Sequence, residues 1–423
     1  MKRGGVAERA TIVLDRIRAH DATLRCYVAI DRRRVLDEAA RLDLVPPHER
    51  GPLHGWLLAV KDIIDVAGMA TRAGSSFYQH DATQDAPTVA ALRAAGALVV
   101  GKTNTHEFAW GITTENPHFG RTANPWDVRR TAGGSSGGSG AAVAAGLADI
   151  ALGTDTLGSI RIPAALNGIS GLRPATGALS LDGVFPLAPG LDTIGPFARD
   201  IQRVHRVYEI LAGAPVRGTI PLRAARLRGG GWERIDDATA RALDAAAELL
   251  GAHGCAVVDV DWWDDALAPA VAVVQQRGAA RVHASLFADH AEQYGVDVRA
   301  RVQRSLNVGE SDELRASATI VRSREGFEAA TARFAVAIAP VTGEPAPLAP
   351  VPAAFREETI PLVTPASAFG LPAAAVPIGS TDDGLPLGMQ IVALDGNAAT
   401  ALAVGRRFQE LCEWHQRTPS LAK

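Results

Sequence analysis

Residues 131–177 read TAGGSSGGSGAAVAAGLADIALGTDTLGSIRIPAALNGISGLRPATG, and no other stretch narrows the possible folds so far. Residues 131–148 are crowded with Gly, Ser and Ala, and the sequence then turns abruptly polar at Thr154–Asp155–Thr156. Small residues let a backbone approach itself or a ligand closely, and glycine adopts dihedrals closed to other residues. Ser135, Ser136 and Ser159 stand at the edges of glycine turns, where hydroxyls can point into a cleft. The stretch has the make-up of a site, not of a linker.

Two familiar glycine-rich motifs fit it poorly. A phosphate-binding loop ends in Lys-Ser or Lys-Thr, and neither follows here. Gly134–Ser135–Ser136–Gly137–Gly138 has the letters of a nucleophile elbow, but that motif follows a buried strand. Residues 124–130 (NPWDVRR) read as a polar loop instead.

The chain has 423 residues, 47% of them hydrophobic, enough for a large core and compatible with one long α/β unit. A formal net charge of −3 gives no global attraction to nucleic acid or anionic lipid. Its four lysines are Lys2, Lys61, Lys102 and Lys423, so arginine supplies nearly all the positive charge. An interior lysine therefore stands out, because a buried lysine can lose its proton and act as a base whereas arginine stays charged. Lys61 lies in the apolar run LLAVKDII, where burial is expected; Lys102 reads as a lysine snorkelling from a sheet edge. Cys26, Cys255 and Cys412 are widely spaced and read as buried thiols of a reducing compartment. No apolar signal core follows the basic N-terminus, so cytoplasm is the expectation.

Apolar spacing predicts helices over 6–18, 32–44, 87–95, 201–211, 237–250 and 400–411, and helices with scattered charge over 267–316. Residues 24–30, 56–60, 97–100, 256–262, 334–340 and 373–378 read as strands, with 56–60 delivering Lys61 to the sheet's edge. This rhythm argues for an α/β sheet. Residues 183–198 are rich in Pro and Gly and read as loop. His106–Glu107 lacks the second histidine of a zinc helix, so no metal is expected.

GGSSGGSG, followed by GTDTLGSIRIPAALNG and GLRPATG, resembles the amidase signature family. Upstream, PLHGWLLAVKDIIDVAG resembles that family's catalytic-lysine segment; TPASAFGLPAAAVPIG and GLPLGMQIVA resume the likeness near the C-terminus. The resemblance implies a single amidase domain over 1–423, a large mixed β-sheet sandwiched between α-helical layers. Its signature core would span about 50–200, a divergent substrate region about 215–330, and 331–423 would return to the core. It also implies a Ser–Ser–Lys triad: Ser159 as nucleophile, Ser135 as the bridging serine after a cis peptide bond, and Lys61 as base. Backbone N–H groups of Thr156, Leu157, Gly158 and Ser159 would form the oxyanion hole, with Ser136, Asp155 and Arg161 supporting the site.

One departure is Leu157–Gly158, where the family commonly has two glycines; a φ above zero at Leu157 would strain it, and its side chain could narrow the acyl pocket. The expected activity is cofactor-independent hydrolysis of a small-molecule carboxamide or related C–N bond through an acyl-enzyme on Ser159. The expected partners are that substrate alone, with no nucleic acid and no membrane, and a homodimer left open. Alternatives are a biuret- or ureido-type hydrolase or esterase, a glutamine-amidase subunit of a tRNA-dependent amidotransferase, and an inactive binding protein suggested by Leu157.

Overall fold

The computed structural model describes residues 5–420. Its first strands are β1 (Tyr27–Ala29), β2 (Leu57–Lys61), β3 (Leu98–Thr103) and β4 (Ile150–Asp155). Then come β5 (Ser170–Arg173), β6 (Thr193–Ala198), β7 (Arg223–Arg228) and β8 (Ala256–Asp261). With β9 (Val336–Pro340), β10 (Ala373–Ser380) and β11 (Pro386–Ala393) they form an 11-stranded sheet in the order β1-β3-β2-β4-β6-β5-β10-β11-β9-β7-β8. β2 runs parallel to β3 and β4, and β7 parallel to β8 and β9; the strands between pair antiparallel, so the sheet is mixed, as expected.

The helices are α1 (Val6–Leu24), α2 (Arg32–Asp43), α3 (Pro87–Ala94), α4 (Gly137–Ala144), α5 (Arg161–Asn167) and α6 (Ile201–Ala212). They continue as α7 (Asp237–Ala252), α8 (Leu267–His290), α9 (Val296–Ser305), α10 (Glu310–Thr331), α11 (Ala353–Ala368) and α12 (Ala398–Leu411). Strand side chains alternate between two apolar layers: Leu58 and Val60 enter the layer of α3, α6, α7 and α12, while Leu57 and Ala59 enter that of α1, α2, α4 and α5. Burial on both faces is why the inner strands read as unbroken apolar runs. Among the described residues no helix is long and apolar enough to cross a membrane.

Three local expectations are corrected. Residues 193–198, read as loop, are β6, a central strand paired with β4 along its length. Its Pro196 lies outside the pairing with β5, recorded only at Phe197 and Ala198, so a residue without an N–H is tolerated there. Residues 127–131 form a strand of a separate two-stranded ribbon, not a polar loop, though still not a strand of the main sheet. Lys102 does not snorkel. It is fully buried at the end of β3, donating to Thr71 Oγ1 at 2.8 Å and lying 3.4 Å from Asp62 Oδ1.

Candidate active site

Lys61 ends β2, and its neighbour in the sheet, β4, ends at Thr154–Asp155, so both chain ends open at one edge. The Lys61 side chain is fully buried; its Nζ donates to Ser135 Oγ at 2.7 Å and Thr154 Oγ1 at 2.8 Å. Burial lowers its pKa to about 7, while the carboxylates of Asp192 and Asp155 resist that fall. Near neutral pH much of Lys61 is therefore the free amine, able to take a proton.

Ser135 is held by its backbone. The Gly134–Ser135 peptide is cis, as the resemblance implied. The Ser135 carbonyl accepts from the His106 N–H at 3.1 Å and the Thr105 hydroxyl at 3.0 Å. Directly after the turn, α4 crosses so close to the loop after β3 that a Cβ on Gly138 would stand 2.5 Å from the carbonyl oxygens of Asn104 and Cys26. Ser136 is committed to structure: its hydroxyl donates to the Thr154 carbonyl at 3.2 Å and accepts from the Thr154 N–H at 3.3 Å. A side chain so engaged stitches the turn to β4 and is no elbow nucleophile.

The loop after β4 is organised by Asp155. Its carboxylate accepts from the N–H groups of Gly158 at 2.8 Å and Ile160 at 3.2 Å, and pairs with the buried guanidiniums of Arg161 and Arg173. Burial alone would raise this carboxyl, but the two arginines reverse the effect and hold it well below the usual carboxylate range. Arg161 in turn donates to Gln390 Oε1 and Ser367 Oγ, each at 2.7 Å, tying the loop to β11 and α11. Asp155 and Arg161 thus lie behind the loop. Arg173, Thr154 and Asp192 are additions to the sequence reading. Asp192 accepts from the Thr156 hydroxyl at 2.6 Å and from the N–H groups of Leu187 and Ala188.

Two expectations about the oxyanion loop change. The Gly158 N–H is already used by Asp155, whereas those of Thr156, Leu157 and Ser159 meet no acceptor among the described residues. Positive φ falls on Gly158 (+90°) and not on Leu157, so the leucine carries no backbone strain. Leu157 instead lines a small cavity, about 10 Å³, together with Ser159, Trp110, Gln275 and Ile360. Its side chain narrows the space in front of the serine. Ala109, Trp110 and Gly111 share the lining, so the 106–110 segment borders the site. His106 and Glu107 are engaged elsewhere, His106 with Asp297 at 3.3 Å and Glu107 with His118 at 2.7 Å. Ser159 is buried at the cavity wall, and among the described residues no hydrogen bond links it to Ser135.

The Amidase family model matches residues 9–402. A glutamyl-tRNA(Gln) amidotransferase subunit from Symbiobacterium thermophilum is 33% identical, over 98% of this chain and 95% of its own. Among solved structures, an amidase superposes with a TM-score of 0.89 at 34% identity, covering 96% of each chain. A chain from a vestigial protein complex described as revealing the evolutionary origins of an s-triazine catabolic enzyme does so at 0.89 and 31%, covering 96% of this chain and 95% of its own. The amidotransferase relatives correct one expectation: the chain's kin include named subunits of an enzyme of tRNA, so a reading that excludes nucleic acid and protein partners does not stand. A weak net charge was the wrong guide, because charge reports non-specific attraction and not membership of an assembly. The matched length and the relatives agree that this chain belongs to the amidase signature family.

Proposed function

We propose that the chain cleaves a carboxamide C–N bond through an acyl-enzyme on Ser159. The observation that carries this reading is the buried Lys61 amine, near pKa 7 and bonded to Ser135 beside the cavity that holds Ser159. Ser159 Oγ attacks the amide carbonyl carbon, and its proton passes through the Ser135 hydroxyl, which can accept and donate at once, to Lys61 Nζ. The oxygen of the tetrahedral intermediate takes hydrogen bonds from the free N–H groups of Thr156, Leu157 and Ser159. Lys61 returns the proton by the same route to the leaving nitrogen, which departs as ammonia or an amine. Water then attacks the ester, its proton again passing to Lys61, which returns it through Ser135 to Ser159 Oγ as the acid is released. The missing Ser135–Ser159 hydrogen bond is compatible with this path, since catalytic contacts commonly tighten only with substrate bound.

The amidotransferase relatives favour a second, more specific setting: a glutamine-amidase subunit that passes ammonia to a partner's substrate. The first test serves both. A fluorophosphonate should label Ser159, located by peptide mass spectrometry, and labelling should vanish in Lys61→Ala and Ser159→Ala; label on Ser136 would overturn the assignment. Ammonia release from glutamine by the isolated chain then separates the settings, because brisk turnover without partners counts against the subunit role.

A further inference from the structure

Arg356, in the first turn of α11, lies at a junction. It lines the catalytic cavity with Ser159, a cavity of about 430 Å³ walled by Trp262, Trp263 and Pro361, and a third of about 320 Å³ walled by His106, Asp297 and Arg301. Arg161 and Arg173, its buried counterparts near the nucleophile, each donate to several acceptors. Arg356 has no hydrogen bond or ion pair among the described residues.

Asp297, Asp265 and Glu115 are otherwise engaged. Asp297 accepts from Arg301 at 2.8 Å and from His106. Asp265 accepts from the Trp263 ring N–H at 2.7 Å, and Glu115 from the Val351 N–H at 3.2 Å. Glu357 borders the larger cavity without pairing to Arg356. Burial, followed by repulsion from Arg301, lowers Arg356 only to about 10, so it stays charged at neutral pH. A partly dehydrated guanidinium that lines the cavity of Ser159 and has no partner of its own is matched by a planar anion, for which a carboxylate is the natural bidentate partner.

We propose that Arg356 is a specificity-determining residue that pairs with a carboxylate carried by the amide substrate, selecting anionic amides over neutral ones. This rests on the Ser159 reading above. The test compares kcat/KM for succinamate and glutaramate with that for butyramide and valeramide, in wild type, Arg356→Gln and Arg356→Lys, with melting temperature as the folding control. Wild type should prefer the carboxylates. In Arg356→Gln the preference should fall by about 100-fold, chiefly through KM, as for loss of one partner of a desolvated charge pair. Arg356→Lys should be intermediate, since an ammonium keeps the charge but not the fork. An unchanged preference in a folded Arg356→Gln would overturn the proposal. If wild type hydrolyses none of the four amides, the Ser159 reading is the one in trouble, and glutarate binding by calorimetry decides on Arg356: binding lost in Arg356→Gln supports it, equal binding refutes it.

Discussion

Lys61 is set between opposed influences, and its protonation decides whether the site can work. Burial strips the ammonium of water, while Asp192 first and Asp155 second hold some charge in place. The neutral amine is the base, so activity should switch on as pH rises through about 7 and level off above it. Below that point the rate of fluorophosphonate labelling should climb about tenfold per pH unit. Asp192→Asn removes the larger of the two supports for the charged form, so the limb should move to lower pH; a limb that stays put would mean that Asp192 does not tune the lysine. Lys61 was legible in the sequence because lysine is rare here and the flanking residues are apolar. Lys102 was misread because its partner Asp62 lies on another strand's exit, a juxtaposition that only the parallel β2–β3 pairing creates. Arg173 and Arg356 stayed hidden for a related reason: in an arginine-rich chain nothing local separates a buried guanidinium from a surface one.

At the scale of elements, α4 is the piece that brings Ser135 to Lys61. Its composition of Gly, Ser, Ala and one Val gives it no amphipathic stripe, and the sequence reading recognised a site there without seeing a helix. The reason for the small residues is contact distance. Gly138→Ala would press a methyl group against two backbone carbonyls that no rotamer change can move aside. Overpacking of this kind costs about 1–3 kcal/mol, and relief requires α4 to shift away from the loop after β3. The expected result is a lower urea midpoint together with slower labelling of Ser159. An equal midpoint with normal labelling would show that the two segments are looser than the structure has them. β6 was lost to the same kind of inference from composition: Pro and Gly suggested a loop, yet long-range pairing with β4 overrides local preference. The strands and helices named from their periodicity were found with only their ends misplaced, whereas β4, β5, β7, β11 and α11 were not named at all.

For the molecule as a whole, a buried base is a stability cost that varies with pH. Lys61 has its ordinary pKa of 10.5 when the chain is unfolded and about 7 when folded. Between those values the unfolded chain binds a proton that the native state does not, so unfolding free energy must rise with pH across that window and become independent of this group below it. The limiting slope is about 1.4 kcal/mol per pH unit for one proton. Burial raises the Cys26 thiol and the Tyr27 phenol well above their ordinary values, so these groups too add a pH dependence to unfolding toward alkaline pH, and the wild-type curve alone would not isolate Lys61. Lys61→Met supplies the reference, since it fills the same space and carries no proton. Urea unfolding of both proteins at pH 7, 8 and 9 should show wild type gaining on the variant at each step. Wild type would then be weakest relative to Lys61→Met near neutrality, as expected where a catalytic group is held in a protonation state that the fold, rather than water, imposes. Parallel curves would mean that Lys61 keeps an ordinary pKa in the native protein, and the proton path through Ser135 would lose its acceptor.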